Sequence, residues 1–428
     1  MTSNLIKLSL VSLLCIIVTF MQVHGYDNGE LSMQHAPRGW STWCTDDLCG
    51  LIDICTEKEI KKRADALVSS GLKDLGYTWI FLDDCWASKE RDADGKLQGD
   101  LKQFPNGMKE LADYVHSKGL YLSLYTCIGT ETCKKHRPGS YGHYEIDANT
   151  FAEWEVDMVK CDNCNRPKDN PAETTQALFT EFSQALNSTG RSMMFAMCEW
   201  GEDEVWNWGP EISQMYRIQM DHLPFFNFPA TAAGAGYGQG VNQIIDWMAD
   251  IRPMKFAGAG KWADPDFLMT LFDYLIDTMP FTESRTEFTF WTLWSSPLLV
   301  ATDVVDMSEE KKSILMNTEV LAIHEDPLFI SGDRLYNNTD GTQAWYKPLT
   351  NGDVAVVLYN ADKERTKKAL PVSISFTDCG FAADDKVYLR DLWQKSNVNN
   401  GEACTGSYSN DIAHHDTQFL RLSKKPFQ

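Results

Sequence analysis

Positive charge is scarce in this 428-residue chain: 39 Lys and Arg stand against 60 Asp and Glu, a formal net charge of −21. No basic tract occurs that could neutralise a phosphate backbone, which excludes nucleic acid as a partner. Long apolar runs are missing as well. The longest, residues 8–21, falls short of the ~20 residues needed to cross a bilayer, which argues against a membrane anchor. Histidine is sparse, nine in all, and none falls in a two-histidine helical motif; His414 and His415 are adjacent but lie in the terminal region. A zinc reading of the cysteines needs two tight pairs, and only Cys161-x-x-Cys164 has that spacing. Phosphate loops fail on inspection. Gly258-Ala259-Gly260-Lys261 is followed by Trp262 rather than Ser or Thr, and the run 234–240 has Gln239 where a dinucleotide fingerprint requires its last glycine. Neither an internal repeat nor a low-complexity segment is evident.

What is present is a globular composition, 43% hydrophobic and 23% charged, able to bury a sizeable core. The length suits two or three domains, or one α/β barrel with a smaller partner. Lys7 precedes the apolar run and small or polar residues follow through Gly25, the layout of a secretory signal peptide over residues 1–25 cleaved near Gly25. The expected destination is the secretory pathway: secreted, or a lysosomal or vacuolar lumen. Of the 12 cysteines, Cys15 leaves with the leader, and the other 11 mature where disulfides persist, so at least one thiol is unpaired. They fall into an N-terminal group (Cys44, Cys49, Cys55, Cys85), a middle group (Cys127, Cys133, Cys161, Cys164, Cys198) and a C-terminal pair, Cys379 and Cys404. In an exported chain the sequons at Asn187 and Asn337 are candidate glycosylation sites.

The middle of the chain alternates strand and helix. Short apolar runs at 77–82, 120–125, 158–159, 193–197, 215–220 and 297–301 read as buried parallel strands. Amphipathic stretches at 57–70, 108–117, 172–187 and 243–251 lie between them. The runs repeatedly end in acids: Asp83 and Asp84, Asp162, Glu199, Asp221. Strand ends that converge on one face define the site of a (β/α)8 TIM barrel, whereas a doubly wound sheet would scatter them along a crevice. The barrel is favoured, over residues 26–325. From 326 to 428 short alternating runs at 342–346, 353–359, 370–376 and 386–389, separated by Gly, Asn and Asp, predict a C-terminal antiparallel β-sandwich domain.

Carboxylates at strand ends suit glycosidic bond cleavage. Retention needs two carboxyl groups about 5 to 5.5 Å apart, one a nucleophile and the other an acid that later serves as base. In Lys160-Cys161-Asp162 the lysine would hold the aspartate ionised, as a nucleophile must be, although Lys-x-Asp is equally the pattern of a surface ion pair. Arg217-x-x-x-Asp221 offers a second carboxyl with a guanidinium to orient it, or an ordinary helical i,i+4 pair. Two adjacent acids ending a buried strand, Asp83 and Asp84, are costly unless a polyhydroxyl ligand, a metal or basic groups satisfy them. Asp264-Pro265-Asp266 could supply metal oxygens but lacks a regular ligand pattern. Among 14 tryptophans, Trp40, Trp43, Trp86, Trp200 and Trp262 stand beside these acidic motifs and offer flat faces for sugar C–H surfaces.

Six motifs in order, Gly39-Trp40-Ser41-Thr42-Trp43, Leu82-Asp83-Asp84-Cys85-Trp86, Lys160-Cys161-Asp162-Asn163-Cys164, Cys198-Glu199-Trp200-Gly201, Arg217-x-x-x-Asp221 and Trp262-Ala263-Asp264-Pro265-Asp266, resemble glycoside hydrolase family 27 over roughly residues 36–330, and more loosely beyond. The resemblance implies a barrel followed by an antiparallel β domain, and a retaining α-galactosidase acting on an oligosaccharide or glycoconjugate with terminal α-galactose, as monomer or homodimer, without cofactor or metal. It implies Asp162 as nucleophile and Asp221 as acid/base. Asp83 and Asp84 would hold the galactose 4- and 6-hydroxyls, Lys160 a ring hydroxyl and Arg217 the 2-position, with Trp40 walling the pocket and Asp264 among the substrate-binding residues. Glu199 would face the 2-substituent, where its bulk rejects an acetamide and accepts a hydrogen bond from a hydroxyl. A Cys133–Cys164 disulfide is implied beside the nucleophile, and Cys85 paired with one of Cys44, Cys49 or Cys55. The alternatives are an α-N-acetylgalactosaminidase of the same family, a sugar-binding barrel without catalysis, and a metal-dependent hydrolase. Departures from the family pattern are Ala263 for asparagine, Tyr216 for tryptophan, His222-Leu223-Pro224-Phe225-Phe226 after Asp221, and no partner for Cys198 near Ser213.

Overall fold

A computed structural model describes residues 35–45, 49, 54–134, 137–168, 170, 172–228, 238–272, 279–363 and 365–428. The leader expected over residues 1–25 lies outside the described residues. No helix among the described residues is long and apolar enough to cross a membrane. Eight strands come first: β1 (Arg38–Ser41), β2 (Trp79–Leu82), β3 (Tyr121–Cys127), β4 (Met158–Asp162), β5 (Met194–Cys198), β6 (Met215–Arg217), β7 (Trp262–Asp264) and β8 (Leu298–Val300). All are parallel, in the order β7-β6-β5-β4-β3-β2-β1-β8. The curl closes through Leu268, just past β7, which bridges Val300 in parallel; its N–H donates to Leu299 O and its carbonyl accepts from Ala301 N–H, both at 2.9 Å.

Helices α1 (Glu57–Ser69), α2 (Gly107–Ser117), α3 (Tyr144–Glu153), α4 (Thr175–Ser188), α5 (Val241–Ile251) and α6 (Phe281–Leu293) lie between strands, and α7 (Glu309–Leu315) and α8 (Thr318–His324) follow β8. α1 starts where Thr56 Oγ1 accepts the Glu59 N–H, with Glu57 and Glu59 in the first turn facing the positive end of the helix dipole. α4 repeats the device with Thr174 and the Ala177 N–H. The fold is a (β/α)8 barrel followed by a C-terminal antiparallel β-sandwich domain.

Up to residue 325, strands β1 and β7 and helices α3, α6, α7 and α8 are not among the elements expected from apolar runs and amphipathic stretches. β1 reads Arg-Gly-Trp-Ser, with a glycine inside because a Cβ at Gly39 would stand 2.0 Å from Trp79 O. β7 is three residues long. α6 is buried on nearly every side, so it has no polar face to give it a helical period.

Strands β9 (Asp333–Asn337), β10 (Thr342–Pro348), β11 (Val354–Asn360), β12 (Leu370–Ser375), β13 (Tyr388–Asp391), β14 (Ser396–Asn397), β15 (Ser407–Ile412) and β16 (Thr417–Ser423) form a six-stranded sheet, β14-β13-β16-β11-β10-β9, and a two-stranded sheet, β12-β15. β11 is buried on both faces: Val356 and Leu358 join the sandwich core with Val372 and Ile374, while Val357 and Tyr359 join the barrel core. Phe290 of α6 meets Trp345 and Tyr359 edge to face, each at 5.2 Å.

Three disulfides form, Cys44–Cys49, Cys55–Cys85 and Cys133–Cys164. The expected C-terminal pair is corrected: Cys379 and Cys404 are both free thiols. Cys379 is packed in the sandwich core, where burial pushes its thiol up to about 12, and Cys404 Sγ accepts instead from Asn399 Nδ2 at 2.9 Å. Both sequon asparagines, Asn187 and Asn337, are exposed.

Candidate active site

Side chains two apart on a strand share a face, so Lys160 and Asp162 of β4 both point into the barrel. Tyr125 stands opposite Lys160 in the β3–β4 register and Cys198 opposite Asp162 in the β4–β5 register. Asp83 and Asp84 follow β2, and Arg217 ends β6. A cavity of about 290 Å³ opens at these strand ends, small as ligand sites go. Asp83, Asp84, Lys160, Asp162, Arg217 and Asp221 all line it.

Asp162 is buried and doubly hydrogen-bonded: Oδ1 accepts the Asn163 N–H at 3.0 Å and Oδ2 the Tyr125 hydroxyl at 3.1 Å. Its pKa is raised to about 7, by burial first; Lys160 opposes this, and the charges of Asp221 and Asp83 add to it. Asp221 accepts from Arg217 Nη2 at 3.1 Å, and its side chain is 36% exposed at the cavity mouth. Its carboxyl is raised too, enclosure acting first, with Arg217 pulling down and Asp266 pushing up. Arg217 is no helical partner: the chain leaves β6 and turns, and the same Nη2 reaches Asp266 Oδ2 at 3.0 Å while Nη1 meets Cys198 Sγ at 3.4 Å. Cys198 stays unpaired.

Lys160 favours the ionised form of Asp162, as the Lys-x-Asp motif led one to expect, but without touching it. Its ammonium bonds Asp83 Oδ2 at 2.6 Å and acts on Asp162 through space. Burial works against the charge of Lys160, yet Asp83 and the other negative neighbours outweigh it and raise its pKa. Phe267, Tyr125 and Trp43 cage the ammonium at 4.8, 5.5 and 5.8 Å from their ring centres. Asp84 is held by the Lys134 N–H at 3.0 Å and by Arg137 at 3.5 Å, and burial raises its pKa.

Three expected site residues stand behind the cavity wall rather than on it. Trp40 is fully buried, its Nε1–H donating to Thr45 Oγ1 at 2.9 Å under the Arg63 guanidinium, and Trp43 takes the lining position. Glu199 is enclosed, and burial pushes its carboxyl well above the usual range, against the nearby Gly201 backbone N–H and the charge of Arg217. Trp200, the next residue, lines the cavity. Asp264 points elsewhere, its Oδ1 accepting the Asp266 N–H at 2.8 Å, with its pKa raised by burial to about 6. The sequence reading missed Tyr125, Asp266 and Phe267 as lining residues. Asp266 carried a signal in the Asp264-Pro265-Asp266 motif; Tyr125 looked like any apolar strand residue. Two lining residues, Trp200 (φ 59°) and Asp266 (φ 84°), hold left-handed backbone, a cost often met at ligand sites.

A titration prediction follows for stability. With its folded pKa above the unfolded value of 3.8, Asp162 makes the native state bind the extra proton, so it lowers stability as pH rises from about 4 to about 7. Asp162→Asn should therefore melt higher than wild type at pH 8, with the gap closing toward pH 4. Differential scanning calorimetry at the two pH values checks this; a lower melting temperature at pH 8 would contradict it.

A barrel that gathers a caged lysine, an arginine and paired carboxylates around a small cavity at its strand ends is the architecture of a glycoside hydrolase. Residues 37–326 match the family model for alpha galactosidase A, and residues 339–422 the model for the alpha galactosidase C-terminal beta sandwich domain. The chain belongs to the alpha galactosidase A family. It is 37% identical to an alpha-galactosidase of Coffea arabica over 387 residues, 90% of this chain and 93% of that one. Among solved structures it is similar to alpha-galactosidase I from Mortierella vinacea, with a TM-score of 0.83 and 31% identity over 92% of this chain and 98% of that one. An alpha-galactosidase from Saccharomyces cerevisiae solved with raffinose superposes with a TM-score of 0.81 and 27% identity, covering 94% and 99% of the two chains.

Proposed function

We propose that the chain hydrolyses terminal α-linked galactose from oligosaccharides or glycoconjugates with retention of configuration. The observation that carries this is the meeting of Asp162 and Asp221 in one small cavity, each close enough for the charge of Asp221 to raise the pKa of Asp162. Asp162 acts as nucleophile from the closed end, its charge steadied by Tyr125, the Asn163 N–H and Lys160. Asp221, at the open mouth, protonates the leaving oxygen and then activates water. The two carboxyls titrate as a pair: the first proton leaves the better-supported Asp162, and the second is retained on Asp221. Activity therefore falls as pH drops below about 7, where the Asp162 nucleophile takes up a proton, and falls on the alkaline side once Asp221, whose carboxyl is also raised, loses its own.

Asp83, Asp84 and Lys160 present an acceptor-rich, charge-balanced cluster that suits the hydroxyls of one sugar ring. The wall after β5 is filled by Trp200 and its buried neighbour Glu199, which leaves room for a 2-hydroxyl rather than an acetamide. An adjoining cleft of about 560 Å³ shares Trp200 and the Cys133–Cys164 bridge, and receives the leaving group. The relatives named alpha-galactosidases, including the one solved with raffinose, support this choice of sugar. The disulfides and the leader-like N-terminus support maturation in the secretory pathway.

The test compares 4-nitrophenyl α-galactoside with the corresponding α-N-acetylgalactosaminide and follows the first product by proton NMR. The galactoside should be cleaved at least about 100-fold faster, as expected where a site must reject an added bulky group. The α-anomer of galactose should appear before mutarotation; β-galactose appearing first would overturn retention, and preference for the N-acetyl sugar would overturn the reading of the β5 wall.

A further inference from the structure

His414 and His415 stand apart from the sugar cavity, in the turn between β15 and β16, where the sandwich grips the barrel. His415 Nδ1 meets Glu283 Oε1 of α6 at 2.6 Å, its ring stacks on Phe226 at 4.4 Å, and its carbonyl accepts from Thr286 Oγ1 at 2.8 Å. Asp362, just past β11, reaches the same place: one ligand atom from each of Asp362, His414 and His415 lies within 4.8 Å of the other two.

Counting donors and acceptors shows room for an ion. Asp362 Oδ1 accepts from the Thr366 N–H and Oγ1, but among the described residues Oδ2 accepts from the Lys367 N–H alone, which leaves one lone pair on a buried carboxylate. His414 Nδ1 is buried with no hydrogen-bond partner among the described residues, a position that costs free energy unless something else satisfies it. The Glu283 carboxylate can only accept, so Nδ1 of His415 carries the proton of the neutral ring and Nε2 offers a lone pair, now met by the Asn227 amide at 3.1 Å. An imidazole held by a carboxylate through one nitrogen, with a lone pair on the other, is how metal-ligating histidines are oriented.

We propose that Asp362, His414 and His415 bind a divalent transition ion of the zinc class, clamping the β15–β16 turn to the loop after β11 and, through Glu283, the sandwich to α6. The ion displaces the Asn227 amide from His415. Two imidazoles and one carboxylate suit zinc, whereas magnesium and calcium demand oxygen ligands. The other groupings of ligand type among the described residues are less suited: Cys133 and Cys164 are tied in a disulfide beside Asp162, and in the open cluster of Asp113, His116 and Glu155 the His116 Nε2 is taken by Asp157 at 2.7 Å.

Isothermal titration of the untagged protein with ZnCl2 tests this, with MgCl2 as control, on wild type, His414→Gln and Glu283→Gln. Wild type should bind zinc at one site and ignore magnesium. His414→Gln and Glu283→Gln should each bind zinc at least about 10-fold more weakly, the loss typical of removing a ligand or its orienting partner. Saturating zinc should raise the melting temperature of wild type and leave that of His414→Gln unchanged. Without zinc, His414→Gln should keep the circular dichroism spectrum and the cooperative melting of wild type, which separates lost binding from misfolding. No zinc binding by wild type, an equal response to magnesium, or undiminished affinity in His414→Gln would each overturn the site.

Discussion

Replacing Asp162 with alanine should lower kcat/KM by about 10⁴-fold or more, roughly 5.5 kcal/mol of transition-state stabilisation at 1.36 kcal/mol per decade. The carboxylate is the group placed to form the covalent intermediate, and the Tyr125 hydroxyl and Asn163 N–H that serve it cannot form that bond themselves. Asp221→Ala should cost less, about 10² to 10⁴-fold, and least for activated aryl galactosides whose leaving group needs no proton. Azide separates the two roles by product. In Asp162→Gly it takes the nucleophile's place and yields β-galactosyl azide; in Asp221→Gly it replaces water in the second step and yields α-galactosyl azide. Steady-state rates and NMR of the azide products provide the check, and exchange of the two anomers between the variants would reverse the assignment.

Lys160→Ala should lose both stability and activity. Lys160 is buried against Asp83 at 2.6 Å, and removing one partner of such a pair costs about 3 to 5 kcal/mol because the other charge stays behind unpaired. The carboxyl of Asp162, which Lys160 holds down against the charges of Asp221 and Asp83, would then rise further. The urea midpoint should fall, and the acid limb of kcat/KM should move to higher pH. Lys160→Arg should not restore activity, because a planar guanidinium does not fit a cage of Phe267, Tyr125 and Trp43 built around a compact ammonium. An unchanged urea midpoint in Lys160→Ala would show that the ion pair carries none of this weight.

The barrel was legible because its longer strands are apolar throughout and its amphipathic helices keep a 3.6-residue period. β1 and β7 were not, since a strand of three or four residues with polar members gains its burial from neighbours rather than from its own composition. α6 escaped for the opposite reason, being covered by barrel and sandwich alike. The same distinction runs through the site. Asp162, Asp221, Asp83, Asp84, Lys160 and Arg217 stand out as charges ending apolar runs, and the structure brings all six to one cavity. Glu199 also ends an apolar run yet falls behind the wall, as do Trp40 and Asp264 of the short strands β1 and β7, because which side of a strand end faces the cavity is set by the turn that follows it.

The chain's own order of residues therefore determined the architecture, the acids available for chemistry and the positions where they leave their strands, since periodicity and strand-end charge are local properties. Only the folded arrangement decided which partner each charge has: Lys160 bonds Asp83 and reaches Asp162 through space alone, Arg217 bridges Asp221 and Asp266, Cys55 rather than Cys44 or Cys49 takes Cys85, and Cys379 and Cys404 stay apart. Those choices depend on distances between segments far apart in the chain, and such distances are fixed by the closure of the barrel and by the packing of the sandwich against it.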